Sequence, residues 1–326
     1  MVCLQSGCIV LYLINVKILK MNYSTVLQEL MIEVKNSSPN GKVADYIPEL
    51  KKVDPAKFGT HLTTIDNLQG FGVGDFQERF SLQSISKVFS LTLAFSMEGD
   101  KLWKHVGIEP SGNAFNSLVQ LEHEMGIPRN PFINAGAIVV ADILISNLKE
   151  NAKTTFLNFV RKIADNPTID YNQRMIASEK SVGYRNAALV NFMKSFGNIK
   201  NDIDEVIDFY YHICSIEMSC EELSKTFLLF ANHGKLITTG EEVISLSKSK
   251  RVNAIMQTCG FYDEAGEFSF RVGLPGKSGI GGGIVAVHPG KYSIAVWSPR
   301  LNPKGNSFYG VELLERLTTK LGVSIF

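Results

Sequence analysis

Apolar and polar positions change their period along this chain. The segment MNYSTVLQELMIEV is apolar at helical spacing and predicts an amphipathic helix over 24–35, ending near NSSPNG. FGTHLTTI, residues 58–65, is rich in β-branched side chains and predicts a strand. The Gly-rich stretch NLQGFGVGD predicts a hairpin, followed by a second short strand through Arg79 and Phe80. An apolar helix is expected from Ser84 to Met97, and helical spacing then dominates to about 235, broken by loops such as EPSGNAFNS and GIPRNPFINAGA. Beyond that point FSFRVGLP, GIVAVHP and YSIAVWSP predict successive antiparallel strands. NSFYGVELLERLTTKLG predicts a closing amphipathic helix.

Strands near both ends with helices between them predict an α+β class. The expected architecture is an antiparallel sheet completed by both chain ends, with helices packed on it and a mainly helical subdomain inserted. The expected division is a single domain over 21–326, with a sheet-containing part at about 21–83 and 240–326 and a helical part at about 84–239. There is no internal repeat and no linker of low complexity.

Composition narrows the function classes. The 326 residues are 45% hydrophobic, enough for one large globular unit. Charge is nearly balanced at +1, from 33 basic and 32 acidic residues, and lysines and arginines are scattered rather than striped. That argues against a nucleic-acid or membrane partner. The five cysteines, Cys3, Cys8, Cys214, Cys220 and Cys259, form no C-x-x-C pair, and their odd number fits no disulfide framework. A reducing compartment, the cytoplasm, is expected, and no metal site. The apolar run IVLYLINV near the start has no preceding positive charge and is too short to span a bilayer. Residues 1–20 are expected to be a disordered or dispensable extension.

Candidate chemistry begins at Ser84-Ile85-Ser86-Lys87. Positions i and i+3 share a helix face, so a lysine amine can reach a serine hydroxyl. Serine needs an adjacent base to become a nucleophile, and lysine is that base only when burial disfavours its charge. The pattern occurs four times, and three copies have bland readings. Ser146/Lys149 ends a helix, while Ser245/Lys248 and Ser247/Lys250 lie in the polar run SLSKSK, read as a solvated face. Ser84/Lys87 alone opens an apolar helix after a strand. The competing reading is a serine cap with a surface lysine.

A second element supports the pair. Lys277-Ser278-Gly279 is similar to the Lys-Thr-Gly element that accompanies Ser-x-x-Lys in serine–lysine acyl-enzymes. The glycines after Ile280 allow close backbone approach, and a backbone N–H there, with that of Ser84, can form an oxyanion hole. A phosphate loop ending in GKS would need glycine where Arg271 stands.

Long ordered blocks then identify a family. GKVADYIPEL, ERFSLQSISKVFSL, FNSLVQLE, GIPRNPFINAGA, SEKSVGYRNAAL, MKSFGN, GFYDEAGEF and RVGLPGKSGIGGGI strongly resemble the serine-dependent glutaminases, from about residue 24 to the C-terminus. The resemblance implies a β-lactamase/transpeptidase-like fold and hydrolysis of L-glutamine to L-glutamate and ammonia, with no cofactor and no metal. It implies Ser84 as nucleophile, Lys87 as base, and Tyr262 beside Ser84 as a proton relay. Tyr46, Asn134, Glu179, Asn186 and Tyr210 would contact substrate, Glu179 through the α-ammonium group and Asn186 at the α-carboxylate. Ile280 stands where the family usually has valine, and its backbone N–H is the part that matters. The family commonly forms dimers or tetramers, so a homo-oligomer is expected.

Residue types agree with free glutamine as ligand. A buried ammonium needs a carboxylate such as Glu179, and amide and phenol groups can orient a carboxylate and an amide. Each also has a plain structural reading: Asn134 as a turn residue, Glu179 as a helix-surface charge, Tyr210 and Tyr262 as core aromatics. Ser111-Gly112-Asn113 falls in a loop and is not read as the Ser-x-Asn element that such enzymes often carry, which leaves open which group completes proton transfer. Two rivals stand beside the glutaminase reading. An exported β-lactamase or transpeptidase would acylate with a β-lactam, and a non-catalytic sensor would bind glutamine without releasing ammonia.

Overall fold

The structure, a computed structural model, describes residues 22–37, 41–111 and 118–326. The expected extension at 1–20, and Gly112-Asn113 of the Ser-x-Asn candidate, lie outside the described residues.

Seven strands are described: β1 Gly59–Thr64, β2 Gly70–Gly74, β3 Phe80–Ser81, β4 Glu217–Met218, β5 Gly276–Ser278, β6 Gly283–His288 and β7 Tyr292–Trp297. The helices are α1 Tyr23–Lys35, α2 Lys87–Glu98, α3 Leu118–His123, α4 Asn134–Leu148, α5 Ala152–Ala164 and α6 Gln173–Ser181. They continue with α7 Tyr184–Ser195, α8 Ile203–Cys214, α9 Cys220–Ala231, α10 Leu246–Cys259, α11 Ala265–Arg271 and α12 Phe308–Leu321.

The main sheet is antiparallel in the order β2-β1-β7-β6-β5. β1 from the N-terminal part pairs with β7 from the C-terminal part, with Gly59 opposite Trp297 and Thr64 opposite Tyr292. The class is therefore α+β, with the sheet closed by both ends of the chain. Strand residues alternate between faces. Ile284, Ala286, Ile294 and Val296 meet α1 and α12 in one apolar cluster. Val285, Val287, Ala295 and Trp297 join a second cluster with α9 and most of the other helices, α11 packing instead in the first. Both faces are covered, which is why β6 and β7 are nearly continuous apolar runs. Local chemistry sets the outer helices: Asn22 caps α1 and Ser307 caps α12 through their side chains.

Two local expectations are corrected. FSFRVGLP is not a strand: FSFR lies within α11. Ala265, Phe268 and Val272 face inward at helical spacing while Phe270 is 91% exposed, so the apparent alternation of Phe268 and Phe270 came from a helix showing only one of them to the core. The third strand of that region is the short β5. NLQGFGVGD is not a turn alone, because Gly70–Gly74 is itself the edge strand β2. β3 then leaves the main sheet and pairs with β4, Phe80 opposite Met218. That side pairing carries the chain into the turn that bears Ser84.

Candidate active site

Ser84 sits in a short 3-10 turn, Gln83–Ser86, that leads directly into α2. The turn is anchored from behind, since the Leu82 N–H donates to the Ile216 carbonyl at 2.9 Å. Gln83 adopts φ +50°, a left-handed backbone uncommon for this residue type. Neither the 3-10 turn nor α2 is capped by a side chain, so Ser84 does not spend its hydroxyl as a helix cap. Its side chain instead lies beside the Tyr262 hydroxyl, where it opposes the upward push that burial gives that group.

Lys87 is 1% exposed. Its ammonium donates to Asn134 Oδ1 at 2.7 Å and to the Phe132 carbonyl at 3.2 Å, and lies 5.8 Å from the centre of the Tyr210 ring. Burial pulls its pKa down to about 8, against the opposing pull of Cys214 and Glu179. Asn134 is the first residue of α4, and its amide passes the contact on by donating to Asn186 Oδ1 at 3.0 Å.

A second buried lysine, Lys277, stands on β5. It donates to the carbonyls of Gly260 at 2.9 Å and Ser278 at 2.6 Å, and lies 4.5 Å from the centre of the Tyr262 ring. Burial, then the charge of Lys87, holds it well below the ordinary lysine range.

Close packing brings the Lys-Ser-Gly strand against the serine turn. A side chain at Gly279 would begin 2.3 Å from the Leu82 carbonyl oxygen, and one at Gly281 equally close to that of Ser81. Only glycine fits both places, and Ile280 between them is thereby held at the lip of the same cleft.

The cleft has a volume of about 560 Å³. Ser84, Tyr46, Asn134, Glu179, Asn186, Tyr210, Tyr262 and Ile280 all line it, with Lys87 buried beneath. These residues come from widely separated parts of the chain, from Tyr46 to Ile280. Glu179, on α6, is 8% exposed, and burial pushes its carboxyl up to about 7 against a hydrogen bond from Gln83 and the charge of Lys87. Tyr210 is buried, and its hydroxyl is held well above the usual range, first by burial and then by Cys214 and Glu179. Tyr46 is half exposed at the rim.

Comparison with known proteins settles the family. A family model described as Glutaminase matches residues 41–326. The chain belongs to the glutaminase family. A glutaminase from Christiangramia forsetii is 56% identical over 306 residues, covering 94% of this chain and 100% of its own length. One from Saccharophagus degradans is 57% identical over 305 residues, with 94% and 99% covered. A solved probable glutaminase of Bacillus subtilis superposes with a TM-score of 0.86 at 28% identity, over 94% of this chain and 98% of that one. Another solved structure, Mglu in its glutamate form, gives 0.85 at 30% identity, over 91% and 68%. The fold is the β-lactamase-like α+β fold of these glutaminases.

The cleft of this glutaminase also holds residues that sequence reasoning passed over. Gln83, Arg185, Cys214, Asp263 and Lys304 line it. Gln83 and Arg185 flank residues already singled out, so adjacency was the available signal. Cys214 ends α8 one turn after Tyr210, with its thiol pushed up to about 12 by burial and then Glu179. Nothing in the sequence separated it from an ordinary core cysteine. Among the described residues no group of three His, Cys, Asp or Glu side chains is placed to hold a metal ion, and no helix is long and apolar enough to cross a membrane.

Proposed function

We propose that this glutaminase hydrolyses L-glutamine through an acyl-enzyme on Ser84. The observation that carries the reading is the meeting, in one cleft, of an uncapped serine, a buried lysine of lowered pKa beneath it and a buried carboxylate on the facing wall. The solved relative in its glutamate form supports glutamate as the product.

Lys87, when neutral, takes the Ser84 proton as Oγ attacks the side-chain amide carbon. The N–H groups of Ser84 and Ile280 stabilise the oxyanion, an arrangement supported by the close approach of the Gly279–Gly281 turn to residues 81–82. The C–N bond breaks as the proton on Lys87 passes, through Tyr262, to the departing nitrogen, which leaves as ammonia. Water then attacks the ester carbonyl and gives a proton to Lys87. Ser84 recovers that proton as glutamate departs. Glu179 pairs with the substrate ammonium, and Asn186 and Tyr210 hold its carboxylate end. Asn134 orients both Lys87 and the amide, and Tyr46 covers the mouth.

The working form in this proposal is a homo-oligomer in the cytoplasm. Exposed Met125, Ile127 and Phe196 around Gly126 support a contact between copies. The free, buried Cys214, Cys220 and Cys259 support a reducing setting.

Ser84→Ala tests the reading. Ammonia release from glutamine is expected to fall by at least about 10⁴-fold with the melting temperature unchanged. Full ammonia release by that variant would sink the assignment.

A further inference from the structure

Tyr262 is a bulky aromatic held at φ +55°. Such a backbone persists only where its surroundings over-determine it. Two residues on, Glu264 is 7% exposed and takes no part in the proposed chemistry. Its two carboxylate oxygens collect three N–H donations. Asn302 Nδ2 donates to Oε1 at 3.0 Å and to Oε2 at 2.9 Å, and Asn306 Nδ2 donates to Oε2. Asn302 also staples its own loop, its Oδ1 accepting from the N–H groups of Lys304 and Asn306, each at 3.0 Å.

The contacts continue toward the nucleophile. Ser278 Oγ donates to Asn306 Oδ1 at 2.6 Å. The side chains of Ser278 and Ser84 both lie beside the Tyr262 hydroxyl and oppose the upward push that burial gives it. The stapled loop also borders the ring, since a side chain at Gly305 would begin 3.7 Å from Tyr262 Cε2 and 4.0 Å from Ile280 Cγ2. Pro303, Lys304 and Gly305 of this loop form one wall of the cleft.

We infer that Glu264 is a positioning residue for the reaction: through Asn302, Asn306 and Ser278 it holds Tyr262 in its left-handed conformation with the hydroxyl beside Ser84, and it sets the 303–305 wall. The inference rests on the role given to Tyr262 above. A carboxylate suits this place because it only accepts, and every neighbour presents N–H. Glutamine at 264 keeps the shape but turns one acceptor into a donor facing an Asn amide, so the clamp loosens without opening a cavity.

The test is Glu264→Gln in the full chain, assayed with glutamine in wild-type and Tyr262→Phe backgrounds. The expected result is a fall in kcat of about tenfold with KM changed less than twofold, and a loss of less than twofold in the Tyr262→Phe background. Unchanged kcat, or the same loss in both backgrounds, overturns the inference. A crystal structure of Glu264→Gln decides independently of turnover: Tyr262 should shift off Ser84, and an unmoved Tyr262 overturns the inference. If Glu264→Gln does not fold, Ser278→Ala removes the next link without burying a charge and should show the same kcat loss and the same non-additivity. Wild-type kcat in Ser278→Ala overturns the inference. Wild-type kcat in Tyr262→Phe alone would instead remove Tyr262 from the proposed mechanism, and the crystal arm would still decide the role of Glu264.

Discussion

Two copies of the same four-residue pattern lie at opposite ends of one helix. Ser84/Lys87 opens α2, and Ser245/Lys248 on α10 meets its last turn. At the second copy, Ser245 caps α10 by accepting from the Lys248 N–H at 3.3 Å. The Lys248 ammonium reaches across to the carbonyls of Phe95 and Ser96 near the end of α2, at 2.8 and 3.3 Å, and lies 5.2 Å from the centre of the Phe95 ring. Expected as part of a solvated face, Lys248 is half-buried and satisfies the C-terminal carbonyls of the helix whose first residue is Lys87. A third copy resolves differently again: Ser146 accepts from Asn201, and Lys149 ends α4 with φ +54°.

Spacing is shared, so burial and partners make the difference. Lys248 keeps a water-facing side and meets carbonyls at the negative end of a helix. Lys87 is buried, which disfavours its charge, and it lies near a second buried lysine, Lys277, whose charge it disfavours in turn. The lysine proposed as the base is also the costly one. Its folded pKa of about 8 lies below the ordinary 10.5. Above pH 10.5 the amine is neutral in both states and carries no penalty. As pH falls from 10.5 to 8 the unfolded chain takes up the proton first, and stability is lost across that window.

Exchanging the roles of these lysines is the strongest way to break the comparison. Lys87→Met should lower kcat by at least about 10³-fold. The same variant should gain stability at pH 7. The gap between about 8 and 10.5 corresponds to about 3 kcal/mol, from which two lost hydrogen bonds subtract about 1 kcal/mol each, leaving ~1 kcal/mol and a Tm rise of about 2 °C. A less stable Lys87→Met would show that burial does not strain this lysine.

Glu179→Gln, which removes the carboxylate from the buried wall, should cost about 100-fold in kcat/KM, mainly through KM. A KM within twofold of wild type would take the substrate ammonium away from Glu179.

A pH profile sharpens the contrast further. With Glu179 at about 7 and Lys87 at about 8, kcat/KM should rise about tenfold per unit between pH 7 and 8 and more steeply below 7. A flat profile across this range would exclude neutral Lys87 as the base.

The smallest effects belong to the second copy. Ser245→Ala and Lys248→Met should each cost about 1 kcal/mol in denaturant unfolding while kcat stays within about threefold. A large kcat loss in Lys248→Met would mean that the end of α2 governs the geometry at its start.

Much of this was legible in the chain itself. Helical spacing marked α1 and α12, and β-branched or apolar runs marked β1, β6 and β7, because these elements bury their side chains in the clusters on the two faces of the sheet. The pattern failed at FSFRVGLP, where a seven-residue helix is too short to show its period, and at NLQGFGVGD, where glycines hid an edge strand. The candidate residues were likewise legible as types, in motifs. Their convergence was not, because Ser84, Asn134, Glu179, Tyr210, Tyr262 and Ile280 are brought to one cleft only by packing of distant segments.

The sequence by itself determined the family and the α+β class, and it singled out Ser84, among four serines with a lysine three residues on, as the proposed nucleophile. Tertiary structure alone decided which lysine loses its water, which serine is left uncapped, and that a carboxylate at position 264 stands behind Tyr262. The physical reason is common to all three. Desolvation, hydrogen-bond partners and backbone strain belong to the neighbourhood that folding assembles, and a residue's neighbours along the chain supply only part of it.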